Sequence, residues 1–210
     1  MKHYFLIAKE VGDLTTILCG ALEIQQLKTS PALSRFFNPL GWAGRRELRQ
    51  RTDFRVDNDR LNVADTDVFK RDPVNLIRFF AQAEHTDTYL HPDALRLIRA
   101  SLPMVDHSLR VNPEANRIFL ELVTGRTNPE GTLRRMSEAG VLARFIPAFR
   151  RVVGMMQFNM YHHFTVDEHL IRTVGMLTNA ERGGASGELP LSTEVVNTIK
   201  NRKALFVAAF

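Results

Sequence analysis

The sequence predicts a mainly α-helical protein with one short β-hairpin, and three observations carry that expectation. Apolar residues recur at helical spacing along most of the 210 residues, one stretch alone (53–64) alternates apolar with polar, and Pro and Gly interrupt the helical pattern at short intervals. Hydrophobic residues make up 44% of the chain, enough to bury a core.

The first helix is expected from Phe5, Leu6, Ala8, Val11, Leu14, Ile17 and Leu18. Cys19 lies in the same apolar stretch and reads as a small buried hydrophobe; as the single cysteine it has no internal disulfide partner. Lys28 to Pro31 break the pattern, and 36–46, with Asn38, Pro39 and Gly41, reads as a connector.

Asp53 to Asp57 and Arg60 to Ala64 alternate around Asn58 and Asp59, two residues that tolerate the left-handed conformations of a hairpin turn. This is the one strand signal in the sequence. From Asp72 onward the pattern turns helical: Asp72 is the expected cap, Pro73 suits a first turn, and Val74, Leu76, Ile77 and Phe80 form an apolar face. Further helices are expected from His91 to Ile98, from Pro113 to Val123 with Ile118, Phe119 and Leu122 inward, and from Asn128 to Ala139, which Gly140 ends. Pro103, Gly125, Gly140 and Pro147 keep the connections short, which favours a packed helical domain over a solenoid. Residues 182–187 have the composition of a flexible loop, and Leu191 to Phe210 reads as a final helix or helix pair with Ser192 or Thr193 as cap.

The segment from Tyr161 to Val174 carries the chemistry. Thr165 followed by Glu168 is a capping box, so a helix should begin at Val166, with Val166, Leu170, Val174 and Leu177 along its buried stripe and His169 beside it. The positive end of the helix dipole disfavours the imidazolium there and leaves the neutral ring that a metal requires. One histidine is not a metal site, however, and a half-buried histidine bonded to a neighbour is the simpler role. His162 and His163 lie in the loop before the helix, able to reach a nearby site or to cover the helix end. The pairs Asp57 with Asp59 and Asp65 with Asp67 have the spacing of magnesium-binding carboxylates, but no phosphate-cradling loop precedes them and turns use aspartate for backbone reasons.

Composition narrows the classes. No run approaches the roughly 20 apolar residues of a membrane span, and no signal peptide opens the chain, so a cytoplasmic protein is expected. The formal charge is +5, but basic residues are interspersed with acidic ones, which argues against specific nucleic-acid binding. Both ends read as cut: Met1 leads straight into an apolar helix, and Lys203 to Phe210 is an apolar helix still running.

The run from Met155 to Val174 resembles the opening of the HD domain in the PII uridylyltransferase/uridylyl-removing family, and Lys2 to Leu14, Asp53 to Phe69 and Asn128 to Met136 are also similar to that family. The resemblance implies an enzyme that transfers UMP from UTP to a tyrosine of the regulator PII and hydrolyses it off again in response to glutamine, regulating nitrogen assimilation. It implies Mg2+ or Mn2+ as cofactor, with His169 as the first HD-type metal ligand and His162 and His163 as accessory residues. It also implies a division into 1–27 as the end of a nucleotidyltransferase domain, 28–65 as connector with hairpin, 66–154 as an associated helical domain with a positioning role, and 155–210 as the first helices of an HD-type all-α domain. No His-Asp pair follows His169, and no glycine-serine and paired-aspartate centre precedes the hairpin, so the chain by itself is expected to be inactive. Two other readings stand beside this one: a generic HD-domain metal-dependent nucleotide phosphohydrolase, and a non-catalytic helical interaction module.

Overall fold

A computed structural model describes residues 2–27, 53–156, 164–184, 187 and 190–210, apart from the side chains at 13, 24, 26 and 27. The fold is mainly helical with a small sheet, as expected. Helix α1 spans Lys2–Leu27. Strands β1 (Phe54–Asp57) and β2 (Arg60–Val63) form the expected antiparallel hairpin, pairing Phe54 with Val63 and Asp57 with Arg60. Asn58 and Asp59 make its two-residue turn at φ 50° and 60°, the left-handed pair that matches strand twist.

A third strand, β3 (Tyr89–Leu90), lies parallel to β2 and was not expected. Two residues are too few to show an alternation, and the pairing is set by tertiary placement: His91 N–H donates to the Leu61 carbonyl at 2.9 Å and extends the contact.

The helical body comprises α2 (Val68–Arg71), α3 (Asn75–His85), α4 (Pro92–Ser101), a 3-10 turn at Leu102–Met104, α5 (His107–Val111), α6 (Pro113–Val123), α7 (Pro129–Glu138), α8 (Val141–Phe145) and α9 (Pro147–Val152). Three of these helices start with proline behind a side-chain cap. His91 Nδ1 accepts from Asp93 N–H at 3.2 Å, Asn112 Oδ1 from Glu114 and Ala115 N–H at 2.9 and 3.0 Å, and Asn128 Oδ1 from Gly131 N–H at 2.9 Å. Asp72 is not the cap of α3: its carboxylate accepts from Val74 N–H at 3.0 Å within the turn that leads into the helix, whose N-cap residue is Val74 and makes no side-chain cap bond.

The core begins under the hairpin, where Phe54 meets Phe79 edge-on at 5.4 Å and Phe79 in turn meets Phe80. It continues without a break through Leu122, Leu133 and Phe145 to Ile171, Val174 and Phe206 of the last helices.

Helix α10 (Val166–Glu181) begins where the sequence placed it, but its capping box is not formed: Thr165 is extended at the N-cap position and makes no side-chain cap bond. Its buried face is also turned by one residue from the expected stripe. Asp167, Ile171, Val174 and Thr178 are buried, whereas Val166, Leu170 and Leu177 are half-buried. Gly175 explains the fit, because a Cβ there would overlap the Glu130 carboxylate of α7.

The C-terminal stretch is a helix pair, α11 (Pro190–Thr198) and α12 (Arg202–Ala209). Ser192 and Thr193 lie within α11 rather than capping it, and the cap of α12 is Asn201, which accepts from Ala204 N–H at 3.0 Å. Phe210 stacks on Phe149 at 5.3 Å.

Helix α1 touches this body along a narrow line. Gly20 is buried where α1 crosses α4, with room for a Cβ only at 3.0 Å from Pro92 Cγ, while Tyr4, Ile7, Val11, Leu14, Leu18 and Leu22 are exposed. Cys19 is exposed too, contrary to expectation, because it falls off that contact line. Among the described residues no helix is long and apolar enough to cross a membrane.

Candidate functional site

His169 is the fourth residue of α10 and is exposed. Its N–H donates to the Thr165 carbonyl at 2.9 Å, closing the first helical turn, and its own carbonyl accepts from Thr173 Oγ1 at 2.9 Å. His162 and His163 lie outside the described residues. Among the described residues no group of three or more His, Cys, Asp or Glu side chains is close enough to hold a metal ion. The described residues therefore do not by themselves form a metal centre.

The residues on either side of this turn fix its position. Asp167, 6% exposed, accepts from Gly154 N–H at 3.1 Å and lies 3.9 Å from Lys9 Nζ of α1. Lys9 also donates to Ser137 Oγ of α7 at 2.7 Å, so one ammonium joins three helices. Glu168 accepts from Arg134 Nη1 at 2.6 and 2.7 Å and from Arg172 Nε at 2.6 Å, and Arg134 also donates to Glu130 at 2.8 Å. Burial pushes the Glu168 carboxyl upward, but the hydrogen bonds from Arg134 and Arg172 outweigh it and leave its pKa below the ordinary value. This ion pairing explains the missing capping box, since the carboxylate that would reach back to Thr165 is held by two guanidinium groups instead. Lys9, Arg134, Asp167 and Glu168 line a polar cavity of about 400 Å³ between α1, α7 and α10.

A second cavity, of about 330 Å³, lies between α1, β3, α4 and α7 and contains Arg60, Arg99, Arg135 and Tyr89. Sequence reasoning missed it because its lining comes from positions scattered between Thr16 and Ala139. The local signal was the helix start capped by Asn128, which with Gly131 forms part of its wall.

The aspartate pairs serve turns and ion pairs. Asp57 accepts from Arg55 at 2.8 Å and Asn62 at 2.9 Å; Asp65 accepts from Asp67 N–H at 2.8 Å and from Arg71 at 2.9 Å, which holds its carboxyl below the usual range. Asp67 pairs with Lys70 at 3.1 Å.

Residues 54–145 match the family model described as uridylyltransferase GlnD third domain. The chain is 55% identical over 211 residues to a bifunctional uridylyltransferase/uridylyl-removing enzyme of Rhodopseudomonas palustris, covering 100% of this chain and 22% of that protein. Proteins of the same description from Nitrobacter winogradskyi and a Bradyrhizobium species are 51% and 53% identical, over 99% and 95% of this chain and 22% and 21% of their own lengths. The chain thus spans about a fifth of the length of the curated relatives it matches. No solved structure gives a significant match.

Proposed function

Because the chain belongs to the family of bifunctional uridylyltransferase/uridylyl-removing enzymes, we propose that it is the helical middle of an enzyme that adds UMP to the PII regulatory protein from UTP and removes it again under the control of glutamine. The observation that carries this reading is identity of about half the residues along essentially the whole chain, hairpin, helical body and α10 alike.

In this reading α1 ends the transferase unit, the helices between the hairpin and α9 hold that unit at a fixed distance from α10, and α10 opens the hydrolytic unit. The ion pairs of Glu168 and the buried Asp167 support the positioning role, since they anchor the first turn of α10 to α7 and α1. His169 is the residue of that turn proposed as a ligand for Mg2+ or Mn2+, with its remaining partners supplied by the rest of the enzyme. The helical body is proposed to position the two units rather than to react, and the chain without its neighbours is proposed to be inactive. The enzyme is proposed to work in the cytoplasm.

The test is to assay the complete enzyme for transfer of UMP from UTP to PII and for release of UMP from PII-UMP, with and without glutamine. Both activities and their opposite response to glutamine are expected. Absence of both, with the protein folded, would refute the reading.

A further inference from the structure

Helix α1 is held to the rest of the chain near both of its ends. Towards its C-terminal end Gly20 meets Pro92, and Glu23 pairs with Arg60 at 2.6 Å. Towards its N-terminal end the contacts converge on the start of α10 and close into a ring. A Cβ added at Gly154 would lie 3.3 Å from Leu6 Cδ2 and 3.6 Å from Phe5 Cβ, so these two side chains lie directly over the backbone of the turn after α9. Gly154 N–H donates to Asp167 of α10 at 3.1 Å, and Asp167 faces Lys9, one helical turn along α1 from Phe5 and Leu6.

The members of this ring differ in what they specify. Apolar contact between Leu6 and a glycine backbone has no direction and tolerates sliding. Lys9 is directional: its ammonium donates to Ser137 Oγ of α7 at 2.7 Å and lies 3.9 Å from Asp167 Oδ2, beyond a hydrogen bond but within charge attraction. Asp167 is buried, and a buried carboxylate that loses its cation is costly, so the first turn of α10 follows the ammonium. Val166 N–H donates to the Met155 carbonyl at 2.8 Å, which makes the turn after α9 and the first residue of α10 shift together. Glu168, next in the same turn, is held by Arg134 of α7. Two successive carboxylates thus take their positions from two different helices, and Lys9 is the group through which α1 takes part.

We propose that Lys9 is a positioning residue for the release of UMP, because it makes the placement of the first turn of α10 depend on α1. The proposal rests on the reading that α1 ends the transferase unit and α10 opens the hydrolytic one. Its consequence is that a residue on the transferase side governs hydrolysis: loss of Lys9 impairs release and spares transfer. Lys9 faces α7 and α10 and lies off the exposed apolar face of α1 that carries Ile7, Val11 and Leu14, so its substitution leaves that face intact.

The experiment compares the parent with Lys9→Met, which keeps the apolar stem, and Lys9→Arg, which keeps the charge. In the 210-residue chain, amide hydrogen exchange is followed by mass spectrometry. Lys9→Met is expected to speed exchange at Gly154 and over 167–170 by at least about threefold, with β1, β2 and α3 unchanged, and Lys9→Arg to return it towards the parent rate. In the complete enzyme, Lys9→Met is expected to lower kcat for release of UMP from PII-UMP by about tenfold, with KM for PII-UMP and the rate of UMP transfer kept within about twofold, and Lys9→Arg to recover most of the loss. A purely structural role for Lys9 would raise exchange throughout the chain and lower both activities together. That outcome, unchanged exchange at the start of α10, or release at the parent rate overturns the proposal. A parent enzyme that neither transfers nor releases UMP would refute the uridylyltransferase reading alone, and the exchange measurement would then decide whether Lys9 sets the position of the turn.

Discussion

The Asp167 carboxylate accepts a hydrogen bond from the Gly154 N–H at 3.1 Å, joining the turn after α9 to the first turn of α10. Both groups are buried, and Lys9 approaches the same carboxylate to 3.9 Å from α1. Asp167→Ala leaves the buried Gly154 N–H without its acceptor and takes the nearby carboxylate charge away from Lys9, which keeps its bond to Ser137. It is expected to lower stability by about 1–3 kcal/mol in urea unfolding, with Asp167→Asn keeping most of the backbone bond and losing less.

Arg134 and Glu168 provide the second tie. Arg134→Ala removes two of the three hydrogen bonds that hold Glu168 and is expected to cost about 1–3 kcal/mol. The folded pKa of Glu168 is depressed, so its contribution is full above the unfolded value of about 4.3 and is lost as pH falls through the lower folded value. Acid unfolding of Glu168→Gln should therefore be flatter below pH of about 4.3 than that of the parent chain.

His91 gives a pH dependence nearer neutrality. Burial depresses its pKa, against weaker upward pulls from Asp93 and Asp57, and its Nδ1 must be unprotonated to accept from Asp93 N–H. Its stabilising role is full above the unfolded pKa of about 6.5 and is lost as pH falls through the lower folded value. Urea midpoints measured downward from pH 7.5 should decline in the parent chain. His91→Asn, which keeps a good capping side chain without a titrating ring, should remove that part of the decline.

Gly175 tests the packing of α10 on α7. Gly175→Ala puts a methyl group into the Glu130 carboxylate, so Glu130 must leave Arg134 or α10 must move outward. The gain in helix propensity is about 1 kcal/mol, and a net loss of stability is nevertheless expected by thermal unfolding, because overpacking costs about 1–3 kcal/mol. A more stable variant would show that α10 is free to shift.

Local chemistry was legible in the sequence where neighbours in the chain decide it. The Asn58-Asp59 turn and the proline-led helices at Pro92, Pro113 and Pro129 follow from residues two to four positions apart. What distant residues decide was not legible. Glu168 had the spacing of a capping box but is taken by Arg134, 34 positions away, and the buried face of α10 follows Asp167 and Ile171 because α7 and α1 lie on that side. The apolar pattern of α1 correctly indicated a helix. It did not indicate a buried one, since among its described apolar residues and glycines the buried and half-buried positions form the narrow line Phe5, Leu6, Ile17 and Gly20, and Cys19 lies outside it. The arginine cleft had no sequence signature at all, because Arg60, Arg99 and Arg135 come together only in three dimensions.

The proposed role of this chain depends most on His169, the exposed imidazole in a turn anchored by buried and paired carboxylates. The most direct measurement is the rate of UMP release from PII-UMP by the complete enzyme with Mn2+, comparing the parent with His169→Ala, alongside the rate of UMP transfer from UTP. Loss of release with transfer retained is the expected result. Release at the parent rate from a folded His169→Ala enzyme would contradict it.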